Sequence, residues 1–270
     1  MKHKLPLQFL LLFVPFIILW WLFSRIDFMG DLKIDEFSRD NERRLGELMF
    51  EAFVKNEERI EDEPINEHVI VFKDMICEAA GMNPKEVKVY IVNNSTINAF
   101  AIPDQQMVIY SRLITYAETP EELFGVMAHE IGHMYHRHVV KKLIKEIGIT
   151  MLFAVITGDA GGKILKDIAK KISSTAFDRE LETEADLFAI EMMHKAGVDP
   201  IHFANFMNRL ADEKESLPEI FEVVSTHPDS RKRAANVILK RDTSNYSIKD
   251  LGIEDWEALK EFRIQARLEY

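Results

Sequence analysis

The residues best suited to chemistry in this chain are His129, Glu130 and His133, which form an H-E-x-x-H string. Four apart on a helix, the two imidazoles share one face, about one turn from each other, where both can grip one divalent ion. Glu130 projects beside that face, where it can polarise a water in an open coordination position. A catalytic zinc takes three protein ligands and keeps one position free, so a third ligand is needed. One known solution places glycine and then histidine shortly after the second histidine; His136 and Val139 stand there instead, which removes it. A glutamate from a later helix is the other common solution. The stretch Arg179-Glu180-Leu181-Glu182-Thr183-Glu184-Ala185-Asp186 can supply it. Glu182 and Asp186 stand four apart on one face, so one carboxylate can ligate while the other orients a metal-bound histidine. Glu180 and Glu184 fall elsewhere around the helix and read as solvated.

These residues need rigid elements to hold them. Thr119-Pro120-Glu121-Glu122 is a capping box with proline at the first helical position, and Leu123, Val126, Met127, Ile131 and Met134 add a buried stripe to the helix it opens. Upstream, Leu45 to Phe53 and His68 to Ala80 have helical spacing, and Gly81-Met82-Asn83-Pro84 ends the second. Val87 to Val92 alternates and is rich in β-branched residues, which predicts a strand. Phe100 to Ile102 and Met107 to Tyr110 predict two more, joined by a turn at Pro103-Asp104. Downstream, helices are expected from Thr175 to Ala196, from Asp199-Pro200 onward, from Asp229 or Ser230 through Lys240, and from Ile253 to Leu268. The apolar stretch Ile147 to Ile156 is too short to span a bilayer and reads as a core or membrane-surface helix. A few short strands followed by helices make an α+β domain.

The N-terminus has a different character. Leu5 to Phe23 is an apolar run of ~19 residues, about 28 Å as a helix, close to the hydrocarbon thickness. Lys2 and Lys4 precede it and Asp27, Asp31, Asp35 and Glu36 follow, so the positive-inside rule puts the N-terminus in the cytoplasm and the rest outside. No small-residue cleavage pattern follows the run, which favours an uncleaved anchor over a signal peptide. The expected organisation is an anchor at 1–25, a connector at 26–38, a metallopeptidase domain at 39–242 and a helical tail at 243–270. A net charge of −11 argues against nucleic acid as partner, because phosphate binding wants a basic face. The single cysteine, Cys77, excludes an internal disulfide or a cysteine-rich metal site.

Four ordered pieces resemble the zinc metallopeptidase family that includes the HtpX-type heat-shock proteases, periplasmic chaperone-proteases and CAAX prenyl proteases. They are Asn98-Ala99-Phe100-Ala101, the His129 to His133 helix continuing to Arg137-His138, Glu182-x-x-Ala185-Asp186, and Ser225-Thr226-His227-Pro228 with Arg233 beyond. The resemblance implies a zincin-like, mainly helical fold with a small sheet beside the active-site helix. It implies His129, His133 and Glu182 as ligands of one Zn2+ per chain, Glu130 as base and Asp186 as the carboxylate behind the ligands. It also implies that His227 stabilises the oxyanion or caps the metal, and that Asn98, Ala99 and Phe100 lie along the substrate cleft. His136 and His138 read as structural; Arg179 and Arg233 either pair with the site carboxylates or form surface salt bridges, the surface reading being preferred. The single readable span sets the chain apart from the multi-span branches, so prenylated substrates are not expected. The resulting expectation is an endopeptidase acting on misfolded or membrane-associated exported proteins. A zinc-binding chaperone or adaptor is the rival, and the presence of Glu130 speaks against it; a membrane scaffold with incidental histidines would hold no metal.

Overall fold

The computed structural model describes residues 37–61, 64–158, 176–213, 223, 226–242 and 244–260. The expected anchor (1–25), nearly all of the connector and the end of the expected terminal helix lie outside the described residues. Among those described, no helix is long and apolar enough to cross a membrane. The compact unit runs from Arg39 to Tyr270.

This unit is mainly helical around a three-stranded sheet. Helix α1 (Arg39–Phe53) buries Leu45 and Met49, and α2 (Pro64–Ala79) buries Val69, Phe72 and Ile76 at helical spacing. Helix α2 starts ahead of the expected His68, because Pro64 fits a first helical turn, where its missing N–H has no partner to lose. Strands β1 (Lys88–Val92), β2 (Ala99–Ile102) and β3 (Gln106–Tyr110) pair in the order β1-β3-β2, parallel between β1 and β3 and antiparallel between β2 and β3. The β2–β3 turn carries Asp104 and Gln105 at φ 64° and 54°, the left-handed pair that a tight hairpin requires. The outer edge of β1 is covered: Arg59 bridges to Val92, and Ile60 N–H donates to the Ile91 carbonyl at 2.9 Å.

Helix α3 (Ser111–Tyr116) leads into α4 (Pro120–Tyr135). Thr119 Oγ1 accepts from Glu122 N–H at 3.3 Å, as a capping residue should, while the Glu122 carboxylate accepts from Glu118 N–H at 2.8 Å. The sequence suggested one buried face for α4, but every residue from Pro120 to Met134 is buried. Neighbouring elements enclose the helix, so His129, Glu130 and His133 sit inside the protein. Helices α5 (His138–Ile147) and α6 (Ile149–Thr157) divide at Gly148, whose φ of 75° favours glycine. Helix α7 (Arg179–Ala196) begins after Asp178, which is extended (φ −64°, ψ 147°), later than the expected Thr175. It stops at Gly197, where N–H groups of Gly197 and Val198 reach back to the last-turn carbonyls of His194 and Met193. Helix α8 (Ile201–Glu213) and helix α9 (Ser230–Lys240) follow, and residues 256–260 are helical within the expected terminal helix.

Candidate metal centre

Helix α4 supplies His129, Glu130 and His133 from its last two turns, and α7 supplies Glu182 and Asp186 from its first two. The helices come close because small residues meet: a Cβ on Gly132 would stand 3.2 Å from Ala185 Cα and 3.1 Å from Phe188 Cδ1. His227 stands in a turn, its N–H donating to the Val223 carbonyl at 2.8 Å, and Phe177 N–H donates to the Thr226 carbonyl at 3.0 Å.

Four side chains from three separate segments therefore converge. One donor atom from each of His129, His133, Glu182 and His227 lies within 4.8 Å of the others, and all four residues are buried. His129 Nε2 is 3.0 Å from His133 Nε2. Glu182 Oε1 is 3.4 Å from His133 Nε2 and 2.9 Å from His227 Nδ1. Glu130 stands beside this group: Oε1 is 3.5 Å from His227 Nε2, and Oε2 accepts from Ala101 N–H at 3.2 Å.

The hydrogen-bond partners assign the ring protons. His129 Nδ1 faces Asp186 Oδ1 at 3.1 Å, and a carboxylate only accepts, so the proton sits on Nδ1 and Nε2 is bare. Burial would raise the pKa of Asp186, but the adjacent Arg233 guanidinium outweighs it and holds the carboxyl at about 2. His138 Nε2 donates to Glu184 Oε2 at 2.9 Å, which leaves His138 Nδ1 to accept from His133 Nδ1–H, also at 2.9 Å. His133 Nε2 is then bare as well. The two Nε2 atoms face each other across 3.0 Å, a separation that suits two nitrogens sharing one ion. Two imidazoles and a carboxylate are a zinc donor set, and with Zn–N near 2.0–2.1 Å the ligand atoms around one ion stand roughly 3.3 Å apart. The residues present fit the ion.

The surrounding charge is arranged to match. Burial pushes the Glu130 pKa up, while His227 and His129 pull against it. Burial would lower the His227 pKa, yet the Glu182 and Glu130 carboxylates outweigh it and raise it. Burial alone would raise Glu182, but His227 and Arg233 hold it well below the carboxylate range. His133 is driven well below the usual imidazole range by burial and so stays neutral.

Of the two readings open for Arg233, the structure takes the one at the site. Arg233 is not a surface residue: it is buried, its Nε and Nη2 hold both Asp186 oxygens at 2.9 and 2.6 Å, and its Nη1 lies 2.5 Å from Glu182 Oε2. Its Nη2 also lies 3.3 and 3.4 Å from the two nitrogens of His129. Glu184 is exposed, as expected, and its carboxylate accepts from His138 at the start of α5. Arg179 does pair on the surface, with Asp229. Phe177, which the sequence did not single out, lies 4.3 Å from the His133 ring, centroid to centroid. Of the expected cleft residues, Asn98 and Ala99 are buried. Among the described residues Asn98 Oδ1 has no hydrogen-bond partner. The Phe100 ring packs away from the histidines, edge-on to Phe53 and Tyr110. The strand meets the centre through the main chain, at Ala101 N–H.

The chain is 26% identical over 216 residues to the beta-barrel assembly-enhancing protease of Yersinia pestis, covering 73% of this chain and 44% of that protein. It is 24% identical over 197 residues to the mitochondrial metalloendopeptidase OMA1 of Schizosaccharomyces pombe (70% and 57%), and 26% identical over 229 residues to the metalloendopeptidase OMA1 of Bos taurus (77% and 44%). The chain thus spans about half the length of these relatives. Residues 66–238, well over half of the sequence and including every residue of the centre, match the profile of one family. The chain belongs to peptidase family M48.

Proposed function

We propose that the protein is a zinc-dependent endopeptidase. In this reading His129, His133 and Glu182 hold one zinc ion, Glu130 is the general base, and Asp186 fixes the His129 ring. The observation that carries it is the convergence of the His129 and His133 Nε2 atoms, 3.0 Å apart, beside the buried Glu182 carboxylate. Zinc bound there supplies Lewis-acid polarisation of the scissile carbonyl and acidifies a water. Glu130, held by Ala101 N–H, takes the proton of the attacking water and passes it to the leaving amine. The Glu182 and Glu130 carboxylates beside His227 favour its protonated form, so its Nε2 is placed to donate to the developing oxyanion. A second reading, in which His227 caps the metal at rest, is favoured by the 3.2 Å between its Nδ1 and His129 Nε2.

The substrate is an extended polypeptide laid along the Asn98 to Phe100 segment. Ala101 N–H points from β2 toward Glu130, so a strand added at that edge would cross the reacting groups. The substrate class in this reading is misfolded or membrane-associated exported proteins; one relative is named a beta-barrel assembly-enhancing protease. The charge step around the apolar N-terminal run favours a single-pass anchor at 1–25, with the domain at 39–242 outside the cytoplasm. A zinc-binding adaptor without proteolysis is the alternative.

Two variants test this. Glu130→Gln keeps its zinc and loses at least ~10²-fold in casein turnover; unchanged turnover removes Glu130 as base, and an inactive wild type with full zinc favours the adaptor. Glu182→Ala loses the ion, and full occupancy by elemental analysis would remove Glu182 from the ligand set.

A further inference from the structure

Behind the first centre lies a second group of metal-type donors. We infer that His136, His138 and Glu184 form a second divalent-cation site, open to solvent, whose filling weakens metal binding at the first. One donor atom from each of the three residues lies within 4.8 Å of the others. His138 Nε2 already points at Glu184 Oε2 across 2.9 Å, and the His136 and His138 rings are stacked within 14° of parallel at 5.3 Å. His138 is fully buried, whereas His136 is partly exposed and the Glu184 side chain is 49% exposed. An ion can therefore arrive from solvent along the open groove formed by Tyr135, His136, Glu184, Phe188 and Glu191. Two imidazoles and one carboxylate suit a zinc-like transition ion and not calcium or magnesium, which want oxygen ligands. The cations nearby leave room: Lys141 Nζ is 4.0 Å from Glu184 Oε2, and Lys195 is engaged by Glu191 at 2.8 Å.

The link to the first centre is the 2.9 Å contact between His138 Nδ1 and His133 Nδ1, which has room for one proton. While His133 offers Nε2 to the first ion, that proton belongs to His133, and His138 carries its own on Nε2. An ion at the second site needs His138 Nε2 bare. The proton between the rings then sits on His138, and His133 must hold its proton on Nε2, facing inward. The two neutral rings carry two protons in either state: one leaves His138 Nε2 to solvent and one is taken up at His133 Nε2. The two ions thus compete for one arrangement of protons, although their ligand sets share no residue.

The inference rests on the zinc reading of the first centre, and its test separates the two. The full chain is stripped of metal and dialysed against rising zinc, alongside His136→Asn and His136→Gln. The wild type takes up a tight first equivalent and a weaker second; both variants take up the first alone. At the zinc level that fills the second site, isotopically labelled zinc leaves the first site at least ~10-fold faster in the wild type and at an unchanged rate in the variants. A second equivalent retained by both variants, or absent from the wild type, overturns the site. A second equivalent without faster loss of the first overturns the competition. A missing first equivalent counts against the zinc centre itself and is read separately.

Discussion

Arg233 sets the charge balance at the centre. Burying Glu182 and Asp186 together is costly unless a cation is equally buried beside them. The guanidinium grips Asp186 with two parallel bonds and reaches Glu182 with its remaining nitrogen, a geometry lysine could not reproduce. Arg233→Leu should leave two buried carboxylates uncompensated, costing about 3–5 kcal/mol of stability. It should also weaken zinc about 10–100-fold by freeing Asp186 from its place behind His129. Urea denaturation and competition with a chromogenic chelator measure the two effects, and wild-type values in both would deny Arg233 this role. His227 offers a second test at the same scale. His227→Gln should lose about 10²–10³ in kcat with little change in KM if the ring serves the oxyanion. A rise in kcat would mean that the ring caps the metal instead.

At the scale of elements, the centre depends on how closely α4 and α7 approach. Gly132 and Ala185 are the contact, and the site's ligands lie on both sides of it. Gly132→Val would drive two methyl groups into the Ala185 backbone and the Phe188 ring, which leave a single Cβ only 3.1–3.2 Å. The expected cost is about 1–3 kcal/mol, with loss of the metal as Glu182 moves away; a variant that kept full zinc would show that the helices can part without opening the centre. Helix α2 supplies a pH-dependent check away from the site. Burial raises the Cys77 thiol from 9.0 to about 11, so the folded chain keeps it protonated where the unfolded chain has ionised it. The resulting stability is whole below pH 9 and is lost as pH rises toward 11. Native Cys77 should therefore resist a thiol reagent at pH 8 and react once urea unfolds the chain; prompt reaction in the native state would place it at an accessible surface. The same elements show what a sequence can reveal. The capped start of α4, the stop at Gly197 and the Asp104-Gln105 hairpin are local chemistry, written in adjacent residues. The four-residue spacings of His129 with His133 and Glu182 with Asp186 are local too. The partners of Arg233 and Glu184 could not be read because they lie 47 and 46 residues away. Nothing in the neighbourhood of Arg233 distinguishes it from a solvated charge; only the packing of α9 against α7 does. Phe177 was passed over for the same reason.

Across the whole molecule, the proposed ligands tie together segments that nothing else in the sequence joins. His129 and His133 end one helix and Glu182 starts another, so an ion shared among them cross-links distant parts of the chain. In the unfolded chain those donors are far apart and bind weakly, so metal affinity becomes folding stability by mass action. With free zinc ~100-fold above its dissociation constant the contribution is about 2.7 kcal/mol. A unit of this size shifts its melting temperature roughly 2–4 °C per kcal/mol, so adding a chelator should lower it by about 5–10 °C. Glu182→Ala, which has already lost the ion, should melt at one temperature with or without chelator. Differential scanning calorimetry of both proteins decides the matter. Should the wild type also melt unchanged after its metal is removed, the three side chains would not be acting as a shared clamp, and the convergence seen in the fold would be held by Arg233 and the helix packing alone.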